Sequence, residues 1–177
     1  MTRRELLAVL PAIGAVGCGY TLAGRGSFLP AYIQTIGIPA FGNTTPYQTV
    51  EQVFTDKVRA EFQNRGQYTV VPSETGVDGL VRGTISAIGA QPVGFTEAQL
   101  ARRYRFTIVV GVSFADVRQQ RTLWENPALN FSDEYELANP SSIGADAQAF
   151  LGQERAAVDR MSSDFARTVV SAILEAF

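Results

Sequence analysis

The sequence predicts an α/β (α+β) fold, a two-layer sandwich with two helices on one face of a mixed four- to five-stranded sheet. Three observations point to it. Val50, Val53, Phe54, Val58 and Phe62 recur at three- and four-residue steps, the spacing of one helical face. Phe150, Leu151, Val158, Met161, Phe165, Val169, Ile173 and Phe177 form a second such stripe. Between the two, Tyr104 to Phe114 alternates with a period of two: large apolar residues at even positions, small or polar ones at most odd positions.

The chain opens with Arg3 and Arg4, an apolar run from Leu6 to Val16, and then small residues. This is the layout of a secretory signal peptide, placed at residues 1–17. The apolar run is too short to cross a hydrocarbon core of about 30 Å as a helix. Ala15-Val16-Gly17-Cys18-Gly19 resembles the lipobox of bacterial lipoproteins, with Ala15 where leucine is commonest. The resemblance implies a diacylglycerol thioether and an N-acyl chain on Cys18, and a membrane tether that two or more chains make stable. An unlipidated thiol after an ordinary signal peptide is the alternative. The paired arginines also faintly resemble a twin-arginine signal, so the export route stays open.

Residues 18–30, rich in glycine, read as a lipidated tether, and 31–177 as a single domain. Tyr32 to Pro39 is the first predicted strand, with Pro39 at its end or edge. Thr45 is a candidate N-cap and Pro46 a first helical residue for a helix over 46–65, with Asn64-Arg65-Gly66 as its stop. Tyr68 to Val71 is a short strand. Strand, helix and strand in so short a span suggest a crossover that sets two parallel strands side by side. Leu80 to Ile88 and Tyr104 to Phe114 follow as strands, joined by a loop from Ala90 to Arg102. Leu129, Phe131, Tyr135 and Leu137 alternate with polar residues in a last strand, whose apolar row Asp133 interrupts. The final helix is expected over 147–176, with Asp146 a candidate N-cap.

Composition excludes several chemistries. There is no histidine and one cysteine among 177 residues. That removes nearly all zinc chemistry, the commonest general base and any intramolecular disulfide. No catalytic residue and no metal site is assigned. Removing residues 1–17 takes two of 15 basic and one of 17 acidic residues, leaving a net charge of −3. A nucleic-acid partner is not expected of such a chain.

At this point the residues resemble one family. Cys18-Gly19-Tyr20-Thr21-Leu22, Leu29-Pro30, Ile36 through Thr45, Val50-Glu51 with Phe54-Thr55, and Asp78 through Gly83 are similar to the lipopolysaccharide-assembly lipoprotein LptE. Leu123 through Pro127, Gln153-Glu154 and Asp164-Phe165-Ala166 continue the similarity in the same order. The resemblance implies a two-layer domain anchored on the periplasmic side of the outer membrane. It implies as partners an LptD-type β-barrel translocon, which the family plugs and helps to assemble, and lipopolysaccharide. Gly19, rather than Asp, after the cysteine is compatible with outer-membrane sorting. The runner-up is a synthase-activator or curli-secretion type of periplasmic lipoprotein, whose likeness is confined to Pro39 through Thr45 and the helix that follows.

Two surfaces are candidate sites. Arg102, Arg103 and Arg105 form the densest basic cluster, with Arg118 and Arg121 at the other end of the same strand. They read either as a clamp on lipopolysaccharide phosphates or as a solvated hairpin tip balanced by Glu97 and Asp116. The outward row Thr107, Val109, Gly111 and Ser113 carries no charge, which suits a partner face or a weakly polar solvent face. An arginine at 109 or 111 is expected to cost the isolated domain little. Asp133, Glu134 and Glu136 read as an exposed charged strand rather than an acid/base pair or calcium site. Trp124 with Pro127 reads as a core residue at a strand end or as a partner anchor.

Overall fold

The computed structural model describes residues 29–65, 68–97, 100–136 and 147–176, with side chains of the last segment from Arg155 onward. Cys18 and the predicted signal peptide, together with Gly66, Leu137, Asp146, Phe177 and the side chains of Phe150 and Leu151, lie outside the described residues. The elements run β1 (Thr35–Gly37), β2 (Gly42–Asn43), α1 (Val50–Asn64), β3 (Thr69–Val71), β4 (Gly79–Phe95), β5 (Ala101–Asp116), β6 (Arg121–Glu136) and α2 (Ala147–Glu175). The sheet is six-stranded, in the order β3-β1-β4-β5-β6, with the two-residue β2 also pairing with β4. β1 lies parallel to both β3 and β4, as the strand–helix–strand spacing predicts, and β4, β5 and β6 are antiparallel. The sheet is therefore mixed, and both helices lie on one side of it.

The core forms where the two helical stripes meet the even row of β5. Val50, Phe54, Val58 and Phe62 of α1 are buried, as are Met161, Phe165, Val169 and Ile173 of α2. Phe106, Ile108, Val110, Val112 and Phe114 lie beneath them, all at most 3 % exposed. Fully burying each such side chain contributes roughly 1.5–3 kcal/mol. Phe165 sits at the centre, with ring centroids 5.0 Å from Phe54, 5.5 Å from Phe131 and 6.2 Å from Phe41. Leu29 is also buried, so core packing reaches into the span read as tether.

Helix α1 starts four residues later than the Thr45–Pro46 signal predicts. Asn43 explains the shift: its Oδ1 accepts the Thr45 N–H at 2.8 Å, and its Nδ2 donates to the Tyr47 carbonyl at 2.6 Å. Such an Asx arrangement offers the backbone a turn in place of a helix. The N-cap is Thr49, in the left-handed region at φ 76°, with its side chain making no cap hydrogen bond. Glu51 reaches back instead to accept the Thr49 N–H at 3.2 Å and an Asn43 Nδ2 hydrogen bond at 2.7 Å.

The long strands exceed expectation. Much of the predicted 90–102 loop is strand: β4 continues through Pro92 to Phe95, and β5 begins at Ala101. Pro92 is tolerated because the other edge of β4 is paired only as far as Ile85. β6 begins at Arg121, so Trp124 is a half-buried mid-strand residue and not a strand end. Asp133 pairs in register with Phe106 on the helix side, where Arg160 of α2 meets its carboxylate at 2.6 Å. An inward charge on an edge strand also discourages pairing with foreign strands.

Candidate functional site

The odd row of β5 lies on the sheet face away from the helices. Arg103 and Arg105 are exposed and Thr107, Val109, Gly111 and Ser113 half-buried, and among the described residues nothing covers them. Cross-strand register supplies their neighbours. Thr107 lies between Gly89 of β4 and Ser132 of β6, and Val109 between Ala87 and Asn130. The Ser86 hydroxyl, at the β4 bulge, donates to the Val109 carbonyl at 3.3 Å. The middle of this face is thus an uncharged band three strands wide. Ion pairs bound it: Arg103–Glu136 and Arg105–Glu134 at one end, Arg82–Glu74 at the other. Another surface can close on such a band without stripping water from a charge.

Gly111 has a specific reason to lack a side chain. A Cβ there would stand 2.9 Å from the Pro127 carbonyl oxygen, a backbone atom with little freedom to retreat. Pro127 sits where the β5–β6 register shifts between Val110 and Val112. The expectation that an arginine at 111 costs little is therefore wrong, whereas Val109 has no such obstacle. Between Gly111, Pro127, Ser113, Glu125, Arg82 and Thr84 lies a shallow depression of about 290 Å³.

The basic cluster is largely neutralised, though not by the residues the sequence suggests. Arg105 reaches Glu134 at 2.7 Å and Arg103 reaches Glu136 at 3.3 Å, both across the β5–β6 ladder. Exposed pairs of this kind contribute about 0–1 kcal/mol each, so an anion could compete for either guanidinium. Arg102 makes no ion pair among the described residues. Asp116, expected to balance the cluster, lies at the far end of β5. It is buried and accepts the Tyr32 hydroxyl and, at 2.9 Å, the Gln119 N–H. Burial pushes its carboxyl pKa up, but these hydrogen bonds prevail and hold it below the usual range. The same bond raises the Tyr32 hydroxyl.

Beside it, Asp78 accepts the Thr35 and Gln34 N–H groups at 3.0 Å each, which is the main reason its pKa is lowered. Arg118 adds donors at 2.9 and 2.5 Å and stacks over Tyr32, 5.4 Å from the ring centroid. Arg118 is thus committed to a structural lock between the β1 approach and the β5–β6 turn. The lock was not legible, because its cross-element contacts join residues 40 to 86 apart: Asp78–Arg118 by 40, Tyr32–Asp116 by 84 and Tyr32–Arg118 by 86.

A second concavity, about 720 Å³, opens on the helix side between Tyr47, Thr49, Val53, Phe106, Arg155 and Val158. It lies apart from every residue singled out as a candidate site. Among the described residues, no group of three or more Cys, Asp or Glu side chains is placed to hold a metal ion. No helix among them is long and apolar enough to cross a membrane.

A two-layer α/β domain with an uncharged open sheet face and a long hairpin is built to meet other molecules through surfaces. The comparisons identify which such domain this is. The LptE model, described as lipopolysaccharide-assembly, matches residues 33–173, and the chain belongs to the LptE family. No curated protein matches it in sequence. Solved structures share the fold at low identity. An uncharacterized lipoprotein B from Nitrosomonas europaea is 11 % identical with a TM-score of 0.54, covering 84 % of this chain and 90 % of its own. A minor lipoprotein from Acinetobacter baumannii is 12 % identical with a TM-score of 0.50, covering 82 % and 94 %. The chain is a lipopolysaccharide-assembly lipoprotein of the cell envelope.

Proposed function

We propose that this protein is held to the periplasmic face of the outer membrane by lipid on Cys18 and seats its open sheet face against an LptD-type β-barrel. There it plugs the barrel, assists its assembly and helps pass lipopolysaccharide to the outer leaflet, without catalysing a reaction. Family membership supports the setting. The observation that carries the choice of face is the uncharged band around Thr107 and Val109. Charge-depleted patches with a polar rim are what interface centres look like, and the flanking Arg–Glu pairs supply the rim.

Lipopolysaccharide carries phosphates that Arg102 can meet directly, and Arg103 and Arg105 by exchanging their glutamate partners. A photo-crosslinking amino acid at Thr107, compared with one at Asp56 on the outer side of α1, tests the reading. Crosslinks to the barrel from 107 and none from 56 are expected. The reverse pattern would place the barrel on the helices and reject the proposed face.

A further inference from the structure

The open sheet face carries a recess beside an unpaired carboxylate. Gly111 of β5 is its floor, with Thr84 of β4 on one side and Pro127 of β6 on the other. A Cβ at Gly111 would stand 2.9 Å from the Pro127 carbonyl oxygen, so the missing side chain keeps the space open with that oxygen beside it. Asn126 Oδ1 accepts the Ala128 N–H at 3.1 Å and steadies the irregular step of β6 that brings Pro127 here. The recess is thus built of paired strand and a pinned bulge, not of loop. Its volume of about 290 Å³ falls at the lower limit of ligand clefts, about 300–1,000 Å³, which suits one side chain rather than a whole lipid.

Charge decides which side chain. Along the outward rows of β4, β5 and β6, Arg103 is matched by Glu136, Arg105 by Glu134 and Arg82 by Glu74. Glu125 is the exception. It is exposed, and among the described residues its carboxylate makes neither an ion pair nor a hydrogen bond. Register sets it across Ser113 from Arg82, yet Arg82 turns to Glu74 at 2.8 Å. One arginine against two glutamates leaves this end of the face at a net −1, which repels a phosphate and attracts a cation. Exposed to water, a lone glutamate needs no explanation. Under a partner it would be desolvated at a cost unless the partner brings the opposite charge.

We infer that this recess receives one arginine side chain of the barrel partner, its guanidinium on the Glu125 carboxylate and its stem over Gly111. A planar fork of N–H donors meets a carboxylate and a neighbouring carbonyl together, which the point charge of a lysine ammonium does less well. Arginines seated in fitted pockets are recurrent anchors of protein interfaces. The inference rests on the proposed seating of the open face against the barrel and adds the contact that fixes its register. The uncharged band around Thr107 and Val109 would let a partner surface slide, whereas one charged side chain in one recess does not.

The test uses the full chain with the barrel, and Glu125→Gln and Glu125→Lys as variants. Because Glu125 is exposed, melts of both isolated variants should match that of the native protein. Barrel affinity should fall about tenfold for Glu125→Gln and about a hundredfold or more for Glu125→Lys. Phenylglyoxal, which modifies arginine, should spare one barrel arginine in the native complex and reach it in a complex saturated with Glu125→Gln. A photo-crosslinking amino acid at Thr107 reports on the face separately. Crosslinks to the barrel from 107, with native affinity in both Glu125 variants, would overturn the recess contact and leave the face in place. No crosslink from 107, again with native affinity in both, would overturn the two together. A carbodiimide crosslink to the barrel mapped to Glu125 would show a lysine amine in the recess and overturn the arginine.

Discussion

Phe165→Ala removes the residue on which the two layers converge. Phe165 is fully buried and lies between Phe54 of α1, Phe131 of β6 and Phe41 of the β1–β2 connection. Truncating a buried Phe costs about 3–5 kcal/mol through lost transfer energy and a residual cavity. The upper half applies here. Three aromatic neighbours from three different elements cannot all collapse into one gap, and each lost ring contact adds about 0.5–1.5 kcal/mol. For a domain of this size, about 2–4 °C is lost per kcal/mol, so the melting midpoint should fall by about 10–20 °C. The assay is a thermal melt followed by circular dichroism, with Phe95→Ala as a matched control. Phe95 is 58 % exposed, and its loss should move stability by no more than about 0.5 kcal/mol. Equal midpoints for the two variants would refute the packing described here.

Three other outcomes follow from particular contacts. Gly111→Ala should destabilise the domain by about 1–3 kcal/mol, because its Cβ meets the Pro127 carbonyl at 2.9 Å; an unchanged urea midpoint would show that β6 yields. Asp78 and Asp116 have folded pKa values below their unfolded ones, so each stabilises the fold above the unfolded pKa. That stability should drain away as pH falls below about 4 toward the folded values, and Asp78→Asn should flatten the acid limb of stability against pH. Cys18→Ala should abolish lipidation and leave the protein soluble or uncleaved. Mass spectrometry of membrane-fractionated native protein that finds a bare Cys18 thiol would defeat the anchor.

What the sequence made legible was periodic. The stripe from Val50 to Phe62 and the even row from Phe106 to Phe114 are each long enough for burial to dominate local preference, and both were found on the expected faces. Legibility failed where one residue type has two meanings. Pro92 falls in the segment read as a loop and Pro127 ahead of the last predicted strand, yet both lie in strands, the former where β4 lacks a second neighbour and the latter on the edge strand β6. Thr45-Pro46 reads as a helix start, but Asn43 captures the backbone first and delays the helix to Val50. The site was half legible. The uncharged row of β5 follows from alternation alone, whereas its rim needs the β5–β6 register, which sets Arg105 against Glu134 and Arg103 against Glu136. No local pattern carries that register.

The measurement that bears most directly on the proposed barrel contact is co-purification of the barrel with Val109→Arg, alongside melts of the isolated variant. Val109 lies on the open face between Ala87 and Asn130, so an arginine there extends into water and the melting midpoint should hold. Seated against the barrel, the same charge would be desolvated without a partner, at a cost of several kcal/mol, or a fall of roughly a hundredfold or more in affinity. The account predicts a normal melt with barrel recovery reduced to background. Full recovery with a normal melt would contradict it and place the barrel on another surface.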